Sequence, residues 1–255
     1  MQAFSALAFN GFREARRNRV SVVVAAFTVG ILLASTLVTQ VTVFTFKRVL
    51  TDVGIGGMAV SLTLLSVFLS SGMLSREIER RTIFLIVSKP VSRGLFLVAR
   101  LAGNMLTLAV LITVMTAVFY VQTLLYGTPL TAPQFIAVGM LWVELLVISS
   151  FGFLMSSFSS QMVSAVATIG IYFCGHLSAD VYTLSAKSSV TAIQLLGKAI
   201  YYLLPNLALL NYRPQSSYDL VTPLSELLKS FGYALGYSGT LVTLAVVIFS
   251  RRDFK

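Results

Sequence analysis

REIERRTIFLIVSKPVSR, residues 76–93, carries more charged side chains than any other segment of the chain, and the apolar runs on either side of it decide how everything else is read. Residues 53–74 before it and 101–126 after it carry no charged side chain. Each run exceeds the roughly 20 apolar residues that take a helix across a bilayer core. The stretch itself divides in two. Arg76, Glu77, Glu79, Arg80 and Arg81 can stay in water, while Ile78, Phe84, Leu85, Ile86 and Val87 can be buried. Lys89-Pro90 then stops a helix, because proline disfavours helical backbone in the residue before it. A short helix held between two spans can pass movement like a lever. The alternative is a basic loop that only sets topology.

Composition agrees. Of 255 residues, 56% are hydrophobic and only 11% charged, and the mean hydropathy is +0.87. A soluble domain carries about a quarter charged residues. The apolar residues come in long blocks without period-two alternation, which argues against a barrel. The expected fold is an all-α integral membrane protein. A net charge of +10 would suggest nucleic acid in a soluble chain. Here the cations flank apolar runs, so membrane topology explains them and no nucleic-acid partner is expected. The one cysteine, Cys174, lies inside an apolar run and reads as a small buried side chain.

Six spans are expected, near residues 20–46, 53–74, 101–126, 135–158, 162–182 and 230–250, in one domain over 1–255. The first is longer than the about 7–15 apolar residues of a signal peptide, so it reads as an uncleaved span. Lys47 to Asp52 is expected to be a tight connection. In residues 1–19, Phe4, Leu7, Ala8 and Phe12 recur at helical spacing, with Arg13, Arg16, Arg17 and Arg19 after them. An interfacial helix is expected there; a solvated basic tail is the alternative. Gly127, Pro129 and Pro133 make 127–133 a turn.

Residues 183–229 form a long, partly polar region. Val190, Ile193, Leu196, Ile200, Leu203 and Leu204 recur at three- and four-residue steps, one face of a helix. Pro205 ends it, and Thr222-Pro223 suits the start of the next helix. Short helices resting on the outer membrane face are expected, with a re-entrant hairpin as the alternative.

Six spans put both termini on one side. The opposite side holds Lys47, Arg48, Lys187, Lys198, Arg213 and Lys229, and the remaining 13 of the 19 Lys and Arg lie on the side of the termini. The positive-inside rule makes that side cytoplasmic, and residues 76–93 with it.

Inside the apolar runs, Glu144 lies nine residues into the fourth, about 14 Å deep at 1.5 Å per residue. A carboxylate there must face protein or water, and no basic partner is visible inside any run. His176 and Asp180, four apart, share a helix face toward the outer end of the fifth run. These three are the candidates for a translocation path; packing is the other reading of each. With one histidine and eight scattered methionines, no metal site is expected. Gly232 and Gly236 in the last run, and Gly152 and Ser156 with Ser160 and Ser164, are small residues spaced for close helix packing, within one subunit or between two.

No phosphate-binding loop and no nucleophile–histidine–acid set is present, so the chain is not expected to be an enzyme or to hydrolyse ATP itself. At this point the 76–93 stretch resembles the type-2 ABC transporter permeases. Their segment between spans 2 and 3 reads close to E-x-E-x-x-T-x-x-x-L-L-S-K-P-(I/V)-S-R, and this chain offers Glu77, Glu79, Thr82, Ser88, Lys89, Pro90, Val91, Ser92 and Arg93. Arg81 stands where many members have glycine. That departure, with Tyr202-Leu203-Leu204-Pro205-Asn206 and Asn211-Tyr212, is similar to the branch of multicopper-enzyme maturation permeases, such as the nitrous-oxide reductase maturation permease.

The resemblance implies a half-transporter in the bacterial inner membrane. Two permease copies, or two homologous permeases, would pair, each gripping one of two cytoplasmic ABC ATPases through a coupling helix at 76–93. ATP and Mg would reside on the ATPases and no cofactor on this chain. Cargo would leave outward, or the motion would pass to a periplasmic accessory protein. Two other classes stay open: a non-transporting membrane anchor whose basic helix binds another protein, and a secondary transporter.

Overall fold

The computed structural model describes residues 19–39, 46–79 and 93–251. Of these, 88% are helical and none is in a strand, which makes the fold all-α. The helices are α1 (Arg19–Thr39), α2 (Phe46–Glu79), α3 (Arg93–Leu125), α4 (Ala132–Ser156), α5 (Gln161–Ala186), α6 (Thr191–Leu203), α7 (Arg213–Ser217) and α8 (Leu224–Arg251), with a 3-10 turn at Leu207–Leu210. The expected interfacial helix lies outside the described residues except for Arg19. Of the 76–93 stretch, Arg76, Glu77 and Glu79 continue α2 and Arg93 opens α3; Arg80, Arg81, Thr82, Phe84, Ser88, Lys89 and Pro90 lie outside the described residues.

Five helices, α2, α3, α4, α5 and α8, are long and apolar enough to cross a bilayer. In α1 the apolar stretch Val24–Leu37 is shorter. One expectation is corrected here. Lys47 to Asp52 is not a connection but the first turns of α2. Nothing in that hexapeptide breaks a helix. Its charges instead reach sideways from the helix end: Lys47 pairs with Asp219, Asp52 accepts from the Ser217 hydroxyl, and Arg48 lies 4.0 Å over the Tyr218 ring.

Those contacts form a polar clamp at one end of the bundle. Gln134, in the first turn of α4, takes the Thr131 backbone N–H on its carbonyl at 2.8 Å. Its amide donates to the Ser216 carbonyl at 2.6 Å and to Asp219 Oδ1 at 2.8 Å, and the Thr131 hydroxyl donates to the same Oδ1 at 2.7 Å. Asp219 adopts φ +53°, a left-handed conformation that aspartate tolerates better than most side chains. Lys47 above all, then Gln134 and Thr131, hold its carboxyl down at about 2. The clamp gathers the starts of α2 and α4 and the loop after α7.

From that end, α2 runs for 34 residues, about 51 Å at 1.5 Å per residue. Its far end, and the start of α3, therefore lie at the opposite end of the bundle. The connection from α3 to α4 returns to the clamp, through a turn closed by Gly127 at φ +68°.

The central helix is α4. It packs on α2, α3, α5 and α8. The spanning stretches of α2 and α4 are 67% buried, against 22% for α8. Close approach needs small residues where these helices meet. A Cβ at Gly152 of α4 would overlap the Ser70 hydroxyl of α2 and sit 3.4 Å from Thr168 Oγ1 of α5. One helical turn away, Ser149 bonds Ser66 Oγ at 2.8 Å and takes the Asn104 amide at 3.2 Å, so a buried polar layer joins α2, α3 and α4.

α6 and the Leu207–Ser217 segment form a bent pair, angled at 46°, that together is apolar enough for a broken span or a re-entrant loop. Its first helix runs back along α5. Tyr201 meets the Tyr182 ring at 4.8 Å, and a Cβ on Gly175 would lie 2.7 Å from the Pro205 carbonyl. Gly175 is 11 residues from the end of α5 at Ala186, about 16 Å down the helix. The chain then returns to Ser217 and Asp219 at the clamp. The segment thus folds as a hairpin whose tip reaches down along α5 and whose two ends lie at the same end of the bundle. Leu207 and Leu210 are buried at its tip, and only glycine leaves room for the approach at Gly175. The apolar face read from sequence points away from the bundle, with Leu196 and Leu203 exposed, as it would in lipid.

Gly152→Val should lower the unfolding free energy by about 1–3 kcal/mol through overpacking. Gly236→Val, where a Cβ meets nothing within 4 Å, should leave the stability of the isolated subunit unchanged. Denaturant titration of the detergent-solubilised chain checks both; equal losses would contradict the packing described.

Candidate functional site

The hairpin tip brings three ionisable side chains together. Glu144 of α4 lies 12 residues past the start of that helix at Ala132, about 18 Å along it, and is 1% exposed. Its Oε1 is 3.4 Å from Nε2 of His176 on α5, and its Oε2 is 3.9 Å from Nη2 of Arg213, the first residue of α7. Arg213 Nη2 lies 3.0 Å from His176 Nε2, and its Nε donates to Asn211 Oδ1 at 2.7 Å.

Each partner is positioned by its own element. His176 Nδ1 bonds the Tyr172 carbonyl one turn earlier at 3.1 Å, and the Tyr172 ring lies tilted against the imidazole with centroids 4.6 Å apart. A proton on Nδ1 leaves Nε2 as an acceptor, and the Arg213 guanidinium, which has only donors, supplies the hydrogen. The hairpin that carries Arg213 is pinned to α8 by the Asn206 N–H donating to Tyr233 Oη at 2.7 Å, by Tyr212 Oη against Ser230 Oγ at 2.8 Å, and by Ser230 Oγ donating to the Leu209 carbonyl at 2.9 Å. A cleft of about 290 Å³, lined in part by Asn211, Tyr212, Glu226 and Lys229, opens beside it.

The structure therefore brings Glu144 and His176 together and leaves Asp180 out. Asp180 is exposed, with no ion pair among the described residues, and its backbone carbonyl takes the Thr183 hydroxyl. The expectation that Glu144 lacks a basic partner is corrected. Sequence reading set Arg213 aside as an outer-loop cation, and nothing local marks a residue that only a hairpin carries inward. The buried layer of Ser66, Asn104 and Ser149 was missed as well, since serines in apolar helices usually bond their own backbone.

The small residues divide. Gly152 meets α2 and α5, and Ser156 is buried with its hydroxyl on the Phe153 carbonyl, so both serve packing within the chain. Cβ atoms on Gly232 and Gly236 would meet open space. Cys174 is exposed rather than buried, because its side of α5 faces outward.

The bundle, the hairpin and the charged segment between α2 and α3 agree with one comparison. The family model for ABC-2 family transporter protein matches residues 2–254. The chain belongs to this family. No curated protein matches it. The permease is thus a multi-pass membrane component of an ABC transporter, not itself catalytic, from a family that normally works with ATPase subunits.

Arg213→Ala should destabilise the permease by about 3 kcal/mol, the cost of leaving a buried partner charge uncompensated. The double variant Glu144→Gln/Arg213→Gln should recover most of that loss. Unfolding midpoints of the single and double variants give the coupling; additive losses would show that the pair does not interact.

Proposed function

We propose that the permease is half of an ATP-driven exporter, or a unit that passes ATP-driven motion to a periplasmic partner, in the branch similar to multicopper-enzyme maturation permeases. Two copies pair in the inner membrane with two cytoplasmic ABC ATPases, which hold the ATP and Mg. Six spans, α1 to α5 and α8, put both termini in the cytoplasm and the hairpin outside. At 21 residues, α1 reaches about 32 Å, enough for a bilayer core. The coupling helix is the 76–93 stretch, with Phe84 as its buried anchor.

The observation that carries this reading is the family match together with where the motif falls in the chain. Glu79 and Arg93 end the two helices that bound it, at the end of the bundle opposite the clamp. A segment there is reachable by a cytoplasmic ATPase and joins α2, one of the two most buried helices. The bareness of α8 supports a second copy as its neighbour, with Gly232 and Gly236 at the approach.

Single cysteines at Ser88 and Ser217 in a Cys174→Ala background should react with impermeant reagents from opposite sides of the membrane. Reaction of both from the periplasmic side would refute the orientation.

Phe84→Ala should weaken ATPase association by about 2 kcal/mol or more, as loss of an aromatic anchor does, while the permease still inserts. Glu79→Ala should cost less and respond to salt. ATPase recovered with the solubilised permease is the readout. Unchanged recovery with Phe84→Ala would remove this stretch as the coupling helix and favour a membrane anchor that binds some other protein.

A further inference from the structure

The Glu144–His176–Arg213 cluster has a hydrogen-bond arrangement that only one protonation state of the imidazole permits. We propose that His176 is a proton-binding site that latches the returning arm of the hairpin, residues 204–217, to α5: neutral, it holds Arg213 and keeps that arm seated; protonated, it turns to Glu144 and loosens the arm from α5.

The argument is geometric. Nδ1 donates to the Tyr172 carbonyl at 3.1 Å, so the lone pair of the neutral ring is on Nε2. That lone pair faces Arg213 Nη2 at 3.0 Å, an N–H donor. Adding a proton to Nε2 changes the acceptor into a donor and sets two cations 3.0 Å apart. The protonated ring has another place to go. Glu144 Oε1 is 3.4 Å away, buried, and without a hydrogen-bond partner. Glu144 then serves the imidazolium, and Arg213, already 3.9 Å from the carboxylate, loses its tie to α5.

No other charge competes. The groups that face His176 are Glu144 from α4, Arg213 from α7 and the Tyr172 ring on its own helix. Asp180, one turn on, is exposed, and α2, α6 and the Leu207–Leu210 turn bring no ion-pair partner to His176 among the described residues. Arg213 is the first residue of the short helix by which the chain leaves the bundle, so its release loosens the tip from α5 while the bonds to α8 and the clamp at Asp219 stay closed. The Asp219 carboxyl, held at about 2, keeps its charge where an imidazole titrates. The latch therefore acts on the tip alone. This inference is independent of the ATPase-coupling reading.

Pulsed electron–electron distances on the full chain test it. Spin labels replace Leu209 on the hairpin and Leu125 at the end of α3, both exposed, in a Cys174→Ala background. Measurements are made at about pH 8 and about pH 5, the range in which histidine changes charge. The labelled parent should show one distance population at the higher pH and a second at the lower. His176→Gln keeps an acceptor for Arg213 but cannot take a proton, and should show one population at both. Arg213→Gln should show the second population already at the higher pH. A parent with the same single population at both values, or a His176→Gln variant that still responds, overturns the latch. Should His176→Gln fail to fold, Arg213→Gln decides: a single population there at the higher pH overturns it equally.

Discussion

A carboxylate buried 1% exposed in the middle of an apolar helix has to be compensated by something other than water. In this permease the compensation comes from two other elements, and one of them is not a span. Glu144 obliges α4 to face His176 on α5, and it obliges the chain between α5 and α8 to bring Arg213 inward. The hairpin carries its cation inward to within 3.9 Å of this anion. Its backbone is accommodated by buried Leu207 and Leu210, by the space at Gly175, and by the tyrosines of α8 that satisfy its polar groups.

Three levels of polar contact run along α4. At one end, Lys47, Asp52, Thr131, Gln134 and Asp219 tie helix starts to a loop in a place water can reach. Midway, the Glu144 cluster joins α4, α5 and the hairpin. Beyond it, Ser66, Asn104 and Ser149 join α2, α3 and α4. These three levels tie α4 to its neighbours, while Gln122 joins α3 to α1 separately through the Leu32 carbonyl and Ser35 Oγ. In an apolar medium packing alone discriminates poorly between helix arrangements, since lipid tails are as apolar as leucine. Hydrogen bonds and glycine contacts then specify which helices touch.

The outer faces tell the complementary story. α6 turns Leu195, Leu196 and Leu203 outward, and α8 leaves Leu228, Phe231 and Leu235 exposed beside its glycines. In water such surfaces would aggregate; in a bilayer they are the ordinary boundary of a subunit. The permease family explains that boundary without assigning the surface to any particular neighbour.

Much of this was legible in the sequence. Apolar blocks longer than a bilayer core, interrupted by Pro129, Pro133 and Pro205 and bounded by arginines, determined an all-helical membrane protein, because span length and backbone chemistry are local properties. The 76–93 motif determined the family for the same reason. What only the tertiary structure decided is pairing. Nothing in the spacing of Lys47 to Asp52 says that its charges end a helix by reaching Ser217, Tyr218 and Asp219. Nothing near Arg213 says that it will neutralise Glu144, 69 positions earlier, nor does any local pattern separate Gly152, wedged against Ser70, from Gly236, which meets nothing. Helix formation is settled within a few turns of chain. The meeting of distant charges and small residues is settled by how the hairpin folds back, and that is a property of the whole bundle.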